Sequence, residues 1–226
     1  MTRLLMLVEG QSEEIFVKHT LAPHLAQHGV YVQSPIVLWT KRLPSGGGFR
    51  GGVSNWSQIR RSLSPLIHDS TAWVSTLLDF YGLPKDFPGL EASSAADPRG
   101  KVAALQEHFA AELNHPRFIP FLALHEFEAW LFSAPEAVEA HFGQAHLADR
   151  LQSVVQQAGA PELINHGSDS HPKARLHALV KSYKETSDGP TLLGRIGIAT
   201  VRAACPHFDG WLSRLEALGE GSGDGA

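Results

Sequence analysis

Carboxylates follow directly on apolar runs at three places in this chain. Glu9 closes the run Leu4 to Val8, Asp79 closes Thr71 to Asp79, and Glu126 and Glu128 follow Phe118 to Leu124. Short continuous apolar runs bounded by turn signals fit buried strands of a parallel sheet. The strand ends of such a sheet share one edge, where ligands bind in open α/β folds. An unpaired charge against a buried strand is costly, and carboxylates gathered at one edge repel each other unless a cation neutralises them. The donors are hard oxygens without a thiolate, which selects Mg²⁺ or Mn²⁺ over zinc. His125-Glu126-Phe127-Glu128 has a superficial likeness to a zinc-protease helix, but the second histidine of that motif is missing. His125 itself reads as a structural hydrogen-bonder.

The elements that would position these groups begin with a strand at the N-terminus and a helix over 13–28. Gly10 would let the backbone turn, and Ser12 would cap the helix through its hydroxyl. Glu13, in the first turn, would lie close to Glu9. Glu13 and Glu14 also simply complement the helix dipole, a reading that leaves Glu9 unexplained. Pro23 would kink the helix, and Gly29 fits its C-terminal cap. A second strand spans Tyr31 to Trp39, interrupted by Pro35. Residues 41–54, with five glycines, form a loop flanked by Lys41, Arg42 and Arg50. Arg60 and Arg61 follow on a helix over 55–67. These five basic residues are the candidates for gripping a phosphate backbone, although each also reads as an ordinary solvated side chain. A helix over 100–113 precedes the fourth strand. Beyond 133 the pattern is helical: one helix starts at Pro135, and others span 147–158, 172–184, 191–204 and 207–218. Gly189-Pro190 reads as a turn. Residues 1–132 are thus expected to form an α/β core and 133–218 a helical part packed on it. Residues 219–226 are expected to be a disordered tail.

Composition limits the function. The chain has 226 residues, is 43% hydrophobic and 19% charged, and carries a net charge of −4. These are values of an ordinary globular protein without a global basic field for nucleic acid. Contact with DNA would have to come from a local patch, a bridging metal or a partner. A single cysteine, Cys205, excludes an internal disulfide and a cysteine-based zinc site and suits a reducing cytoplasm. No apolar run is long enough to span a membrane, and the first residues lack the basic start and cleavage site of a signal peptide.

Val8-Glu9-Gly10 with Glu13, Leu78-Asp79-Phe80-Tyr81-Gly82-Leu83-Pro84 and His125-Glu126-Phe127-Glu128-Ala129 resemble a Toprim-fold protein. More narrowly, they resemble the bacterial domain-of-unknown-function family 4276. Pro172-Lys173-Ala174-Arg175-Leu176, Tyr183-Lys184, Asp188-Gly189-Pro190 and Cys205-Pro206-His207-Phe208 resemble its C-terminal pattern. The resemblance implies a Rossmann-like, mostly parallel four-stranded sheet flanked by helices. It also implies kinship with topoisomerases, primases and overcoming-lysogenization-defect nucleases, which hold divalent metal over a nucleic-acid phosphate. Relatives encoded beside an ABC-class ATPase imply a part in anti-phage defence.

By the same resemblance Glu9 is the Toprim glutamate, a general acid/base or metal ligand, Glu13 the second acidic position, and Asp79 the first Asp of an Asp-x-Asp motif. Tyr81 stands where the second Asp belongs, so one metal ligand is either lost or supplied elsewhere, by Glu126 or Glu128. On a helix those two glutamates would face different ways; on a strand they would share a face. Lys173 or Arg175 matches the basic residue that stabilises charge on the reacting phosphate, while Lys173 after Pro172 also reads as a solvated helix-start lysine. The expected function is Mg²⁺- or Mn²⁺-dependent phosphodiester hydrolysis in DNA or RNA, with Glu9 handling the proton. The alternatives are a non-catalytic subunit docked to an ABC-class ATPase and a phosphatase for a small phosphate ester.

Overall fold

Alternate residues of β1 (Thr2–Val8) enter two different hydrophobic clusters, Leu4, Met6 and Val8 one, Leu5 and Leu7 the other. The two-residue period of a strand does this whenever both faces are covered. The computed structural model describes residues 1–38, 55–91, 97–164, 167 and 169–220. Within them β1 pairs with β2 (Val30–Val32) and β3 (Ile36–Val37) on one side and with β4 (Trp73–Asp79) on the other. β4 pairs in turn with β5 (Phe118–Ile119) and β6 (Leu122–Ala123), and every one of these pairings is parallel. The sheet therefore has four rows, as expected, with the two outer rows each broken. Pro35 and Pro120 fall in the breaks, because proline has no N–H for the ladder.

The first helical segment is capped at Gly10, not by the Ser12 hydroxyl, which donates to the Glu185 carbonyl instead. It comprises α1 (Gln11–Phe16), a π-helical turn (Val17–Leu21) and α2 (Ala22–Gln27). The expected distortion at Pro23 takes this form: the wide turn precedes the proline, which cannot donate to a carbonyl one turn back. α3 (Trp56–Ile67) and α4 (Pro98–Leu113) cover the opposite face with Ile59, Leu63, Val102, Leu105 and Phe109. Asn55 and Asp97 cap them, accepting N–H bonds from Gln58 and from Arg99 and Gly100.

After β6 come a 3₁₀ helix (Phe127–Ser133), α5 (Pro135–Phe142), α6 (Leu147–Ala158) and a short 3₁₀ turn (Pro161–Leu163). Then follow α7 (Pro172–Leu179), α8 (Glu185–Ile196), α9 (Ile198–Ala204) and α10 (Pro206–Glu220). Four of these differ from the expected boundaries. α7 stops at Leu179, five residues short. Gly189-Pro190 lies inside α8 instead of forming a turn, because the Asp188 carboxylate accepts the Lys184 N–H at 2.7 Å and closes the helix start ahead of the proline. The helix expected over 191–204 is two helices parted at Gly197, whose φ of 81° suits glycine. α10 continues two residues into the expected tail. Residues 221–226 lie outside the described residues, as does the basic loop with Lys41, Arg42 and Arg50.

The C-terminal helices complete the α1 side of the sheet. Leu176, Leu192, Leu193, Phe208, Trp211 and Leu215 share one cluster with Leu4, Met6, Phe16 and Leu77. Trp130 stands at its centre, its ring 5.6 Å from Phe16 and 4.6 Å from Phe208. Trp130→Ala should cost about 3–5 kcal/mol. In urea unfolding this reads as a lower midpoint with an unchanged slope; a shift below about 1 kcal/mol would contradict the central role of this ring.

Candidate metal centre

Glu9 and Asp79 terminate neighbouring strands whose chains leave in opposite directions. After β1 the chain passes through α1 and α2 on one face to reach β2; after β4 it passes through α4 on the other face to reach β5. The crevice beyond the carboxyl ends of β1 and β4 is therefore a topological switch point, the standard ligand position in open α/β sheets. The two carboxylates are tied there through the backbone. Glu9 Oε2 accepts the Asp79 N–H at 2.8 Å, and Asp79 Oδ1 accepts the Phe127 N–H at 2.9 Å. Glu13 Oε2 takes the Gly10 N–H at 2.9 Å, which fixes the strand-to-helix turn. Gly82 leaves room for Glu9: a Cβ at that position would lie 2.7 Å from Glu9 Oε1.

The glutamates after β6 reach the crevice through a sharp reversal. The Glu126 N–H bonds the Leu124 carbonyl across His125, whose φ is 70°. This is a γ-turn with positive central φ, a conformation that L-residues rarely adopt and that costs about 1–3 kcal/mol. Glu126 is then extended and Glu128 sits in the first turn of the 3₁₀ helix. Neither an α-helix nor a strand describes the pair, and both carboxylates turn toward Asp79. Asp79, Glu126 and Glu128, all buried, each place one ligand atom within 4.8 Å of the others.

α7 supplies the counter-charge. Lys173 Nζ lies 3.7 Å from Glu128 and 3.5 Å from Glu185, and the Lys173 N–H donates to Glu126 Oε2 at 3.0 Å. His171 Nδ1 meets the same Glu126 oxygen at 2.8 Å. Tyr81 is 42% exposed and stacks on His171 at 5.0 Å, so it serves the cluster as a ring that packs its histidine and not as an oxygen ligand. Tyr183 is buried, and its hydroxyl has no hydrogen-bond partner among the described residues.

Burial dominates the electrostatics. It pushes Glu9 up to about 7, an effect opposed by the Asp79 N–H and reinforced by the Glu13 charge. It pushes Glu128 up to about 8 despite Lys173. Burial and then the neighbouring carboxylates raise Asp79 well above the carboxylate range, and burial raises Glu13 as well. For Lys173 burial works against the charged form, but Glu128, Asp79, Glu185 and Glu126 outweigh it and hold its pKa above that of an ordinary lysine. Tyr183 is raised by burial, with Glu128 and Glu185 adding to the effect.

The structure thus brings together Glu9, Glu13, Asp79, Glu126, Glu128 and Lys173. Arg60 and Arg61 are exposed on α3, on the opposite face of the sheet from α7. His171, Glu185 and the Tyr183 hydroxyl are additions that the sequence reading missed. His171 adjoins the Pro172-Lys173 motif and Glu185 follows Tyr183-Lys184, but no spacing rule connects either with a strand end 45 or more residues away.

Fold and site together define an α/β protein with a parallel sheet flanked by helices and acidic side chains gathered at its carboxyl edge. The chain belongs to the family described as Domain of unknown function (DUF4276), whose model matches residues 8–216. None of the curated proteins compared with it matches. Among solved structures it is similar to the C-terminal region of the Burkholderia pseudomallei OLD protein, at 16% identity over 97% of this chain and 99% of that one, with a TM-score of 0.44. The corresponding region of the Xanthomonas campestris pv. campestris OLD protein gives 12% identity, coverage of 95% and 98%, and a TM-score of 0.38.

The raised carboxylates set a pH dependence. Between the ordinary range near 4.5 and about 7–8, the folded protein binds more protons at Glu9 and Glu128 than the unfolded chain does. Stability must then fall as pH rises through that window. Thermal melts at pH 5, 6.5 and 8 in chelator should show a stepwise falling Tm, with a shallower slope in Asp79→Asn. A Tm that is flat or rises over this range would contradict the buried repulsion.

Proposed function

We propose that this chain is a divalent-metal-dependent nuclease that hydrolyses phosphodiesters in DNA or RNA. The observation that carries the reading is the buried triad Asp79, Glu126 and Glu128, with ligand atoms within 4.8 Å of one another at the switch point of the sheet. The donor set fits Mg²⁺ or Mn²⁺: it is all carboxylate oxygen, buried, and under-compensated by Lys173. An unpartnered tyrosine hydroxyl buried beside it is a second sign that something polar belongs there.

Asp79, Glu126 and Glu128 would hold the ion, with Glu9 and Glu13 beside them. When bound, the ion supplies Lewis acidity to the phosphoryl oxygen and to the attacking water. Glu9, held by the Asp79 N–H at the edge of the triad, would accept the proton of the attacking water. Lys173 offsets the charge that builds on phosphorus during attack. The likeness of the motifs to Toprim proteins supports a place in anti-phage defence beside an ABC-class ATPase, and the net charge of −4 supports a DNA grip shared with such a partner.

One feature favours a second reading, a catalytically silent subunit that docks an ATPase or a nucleic-acid end. Tyr81 occupies the second Asp position and is engaged with His171, so one ligand of a two-metal arrangement is absent.

Calorimetric titration with Mn²⁺ separates the two. Saturable binding by the wild type that Asp79→Asn abolishes and Glu9→Gln weakens is the expected result, followed by metal-dependent cleavage of plasmid DNA or single-stranded RNA. Lys173→Met should keep Mn²⁺ binding and lower the cleavage rate by about 10²–10³. Absence of Mn²⁺ binding by the folded wild type would overturn the metal centre; binding without cleavage in the presence of the ATPase would favour the silent subunit. Gly82→Ala, which removes no ligand, should weaken Mn²⁺ binding about tenfold or more by displacing Glu9. Unchanged affinity would separate Glu9 from the ion.

A further inference from the structure

A second group of ligating side chains lies away from the acidic centre, where α2 meets α10. His24 and His28 are four residues apart, on α2 and at its C-terminal cap, so both imidazoles lie on one helix face, with ring centroids 5.1 Å apart. Glu216 of α10 faces them. Its Oε1 is 2.6 Å from His24 Nε2 and 3.6 Å from His28 Nε2. One ligand atom from each of the three residues falls within 4.8 Å of the others. Two imidazoles and one carboxylate suit a borderline divalent ion such as Zn²⁺, in contrast with the oxygen-only acidic centre.

Two surrounding features fit that role. Arg202 approaches both Glu216 oxygens, through Nη1 at 3.0 Å to Oε1 and Nη2 at 3.3 Å to Oε2. Its bond to Oε2 would orient a carboxylate that coordinates through Oε1, as outer hydrogen bonds do around protein metal ions. Arg202 is also anchored to Asp209, at 2.6 Å, so it can relinquish Oε1 without losing its place. His24 and Arg202 line an open cleft of about 460 Å³ between α2 and the α8–α9 junction. The cleft opens the His24 side of the cluster to solvent, from which an ion can approach.

We infer that His24, His28 and Glu216 form a binding site for a divalent transition-metal ion of the zinc class, distinct from the acidic centre. The site joins α2 to α10, so occupancy fastens the first helical segment to the last helix. Neither the nuclease reading nor the silent-subunit reading requires it.

Zn²⁺ titration of the full chain by calorimetry, with Mg²⁺ saturating, tests the inference. The wild type and Asp79→Asn should both bind Zn²⁺. The His24→Gln/His28→Gln double variant should bind at least about a hundredfold more weakly, since loss of inner ligands exceeds the effect of outer ones, while Mn²⁺ binding at the acidic centre is unchanged. In the wild type, Zn²⁺ should shift the side-chain ¹⁵N resonances of His24 and His28, a readout that needs no variant. Zn²⁺ affinity unaltered by the double substitution, or imidazole resonances that do not move at saturating Zn²⁺, would overturn the inference and leave the cluster as an ion-pair network only.

Discussion

Several carboxylates are buried against one another at the end of a parallel sheet, and much of the surrounding structure answers that fact. A buried ion left unpaired is penalised by several kcal/mol even after relaxation. Four of the five acidic residues here accept a backbone N–H, while Glu128 faces the Lys173 ammonium. Glu13 holds the Gly10 N–H, Glu9 that of Asp79, Asp79 that of Phe127, and Glu126 that of Lys173. These bonds run from β1 to β4 to the 3₁₀ helix to α7, so the acidic side chains also set the relative positions of the segments that carry them. Each bond uses one oxygen of its carboxylate. The geometry that relieves the charges locally is therefore the geometry that presents them to a cation.

The same logic accounts for the local irregularities. The γ-turn at His125 concentrates strain in one residue and delivers two glutamates that regular secondary structure would have separated. Gly82 keeps clear the space that Glu9 occupies. Gly189 does so for Tyr183: a Cβ there would lie 3.0 Å from the tyrosine hydroxyl. Tyr81, in a position where the motif resemblance implies a carboxylate, packs the histidine that holds Glu126. A ring replaces a charge, and the neighbouring carboxylate gains a partner instead.

Much of this was legible in the sequence because it follows from periodicity and turn chemistry. β1 and β4 read as doubly buried strands, Glu9 and Asp79 as their acidic ends, and Pro35 as a break. The geometry of Glu126 and Glu128 was not legible, since a positive-φ histidine leaves no local signature. The start of α8 was hidden because Gly189-Pro190 is ordinarily a turn, and here an Asp188 side chain overrides it. The split at Gly197 was hidden inside an apolar pattern that continues on both sides. The assembly of His171 on Glu126, and of Lys173 between Glu128 and Glu185, is tertiary, made by helices packed far along the chain, and pattern reasoning does not reach that far. Arg60 and Arg61 show the converse: adjacency of basic residues in sequence says nothing of the face they occupy.

The interleaving of early and late segments has a consequence for how the chain reaches its native state. The Trp211 indole donates to the Ser75 hydroxyl, and the Thr2 hydroxyl to the Leu218 carbonyl, contacts separated by 136 and 216 residues. Contacts this distant are entropically slow to close. During synthesis β1 emerges well before α10, and the cover of its α1 side is complete only when α10 arrives. Until α10 arrives a nascent chain would therefore display an apolar sheet face, the kind of surface that chaperones recognise and that aggregates when they are scarce.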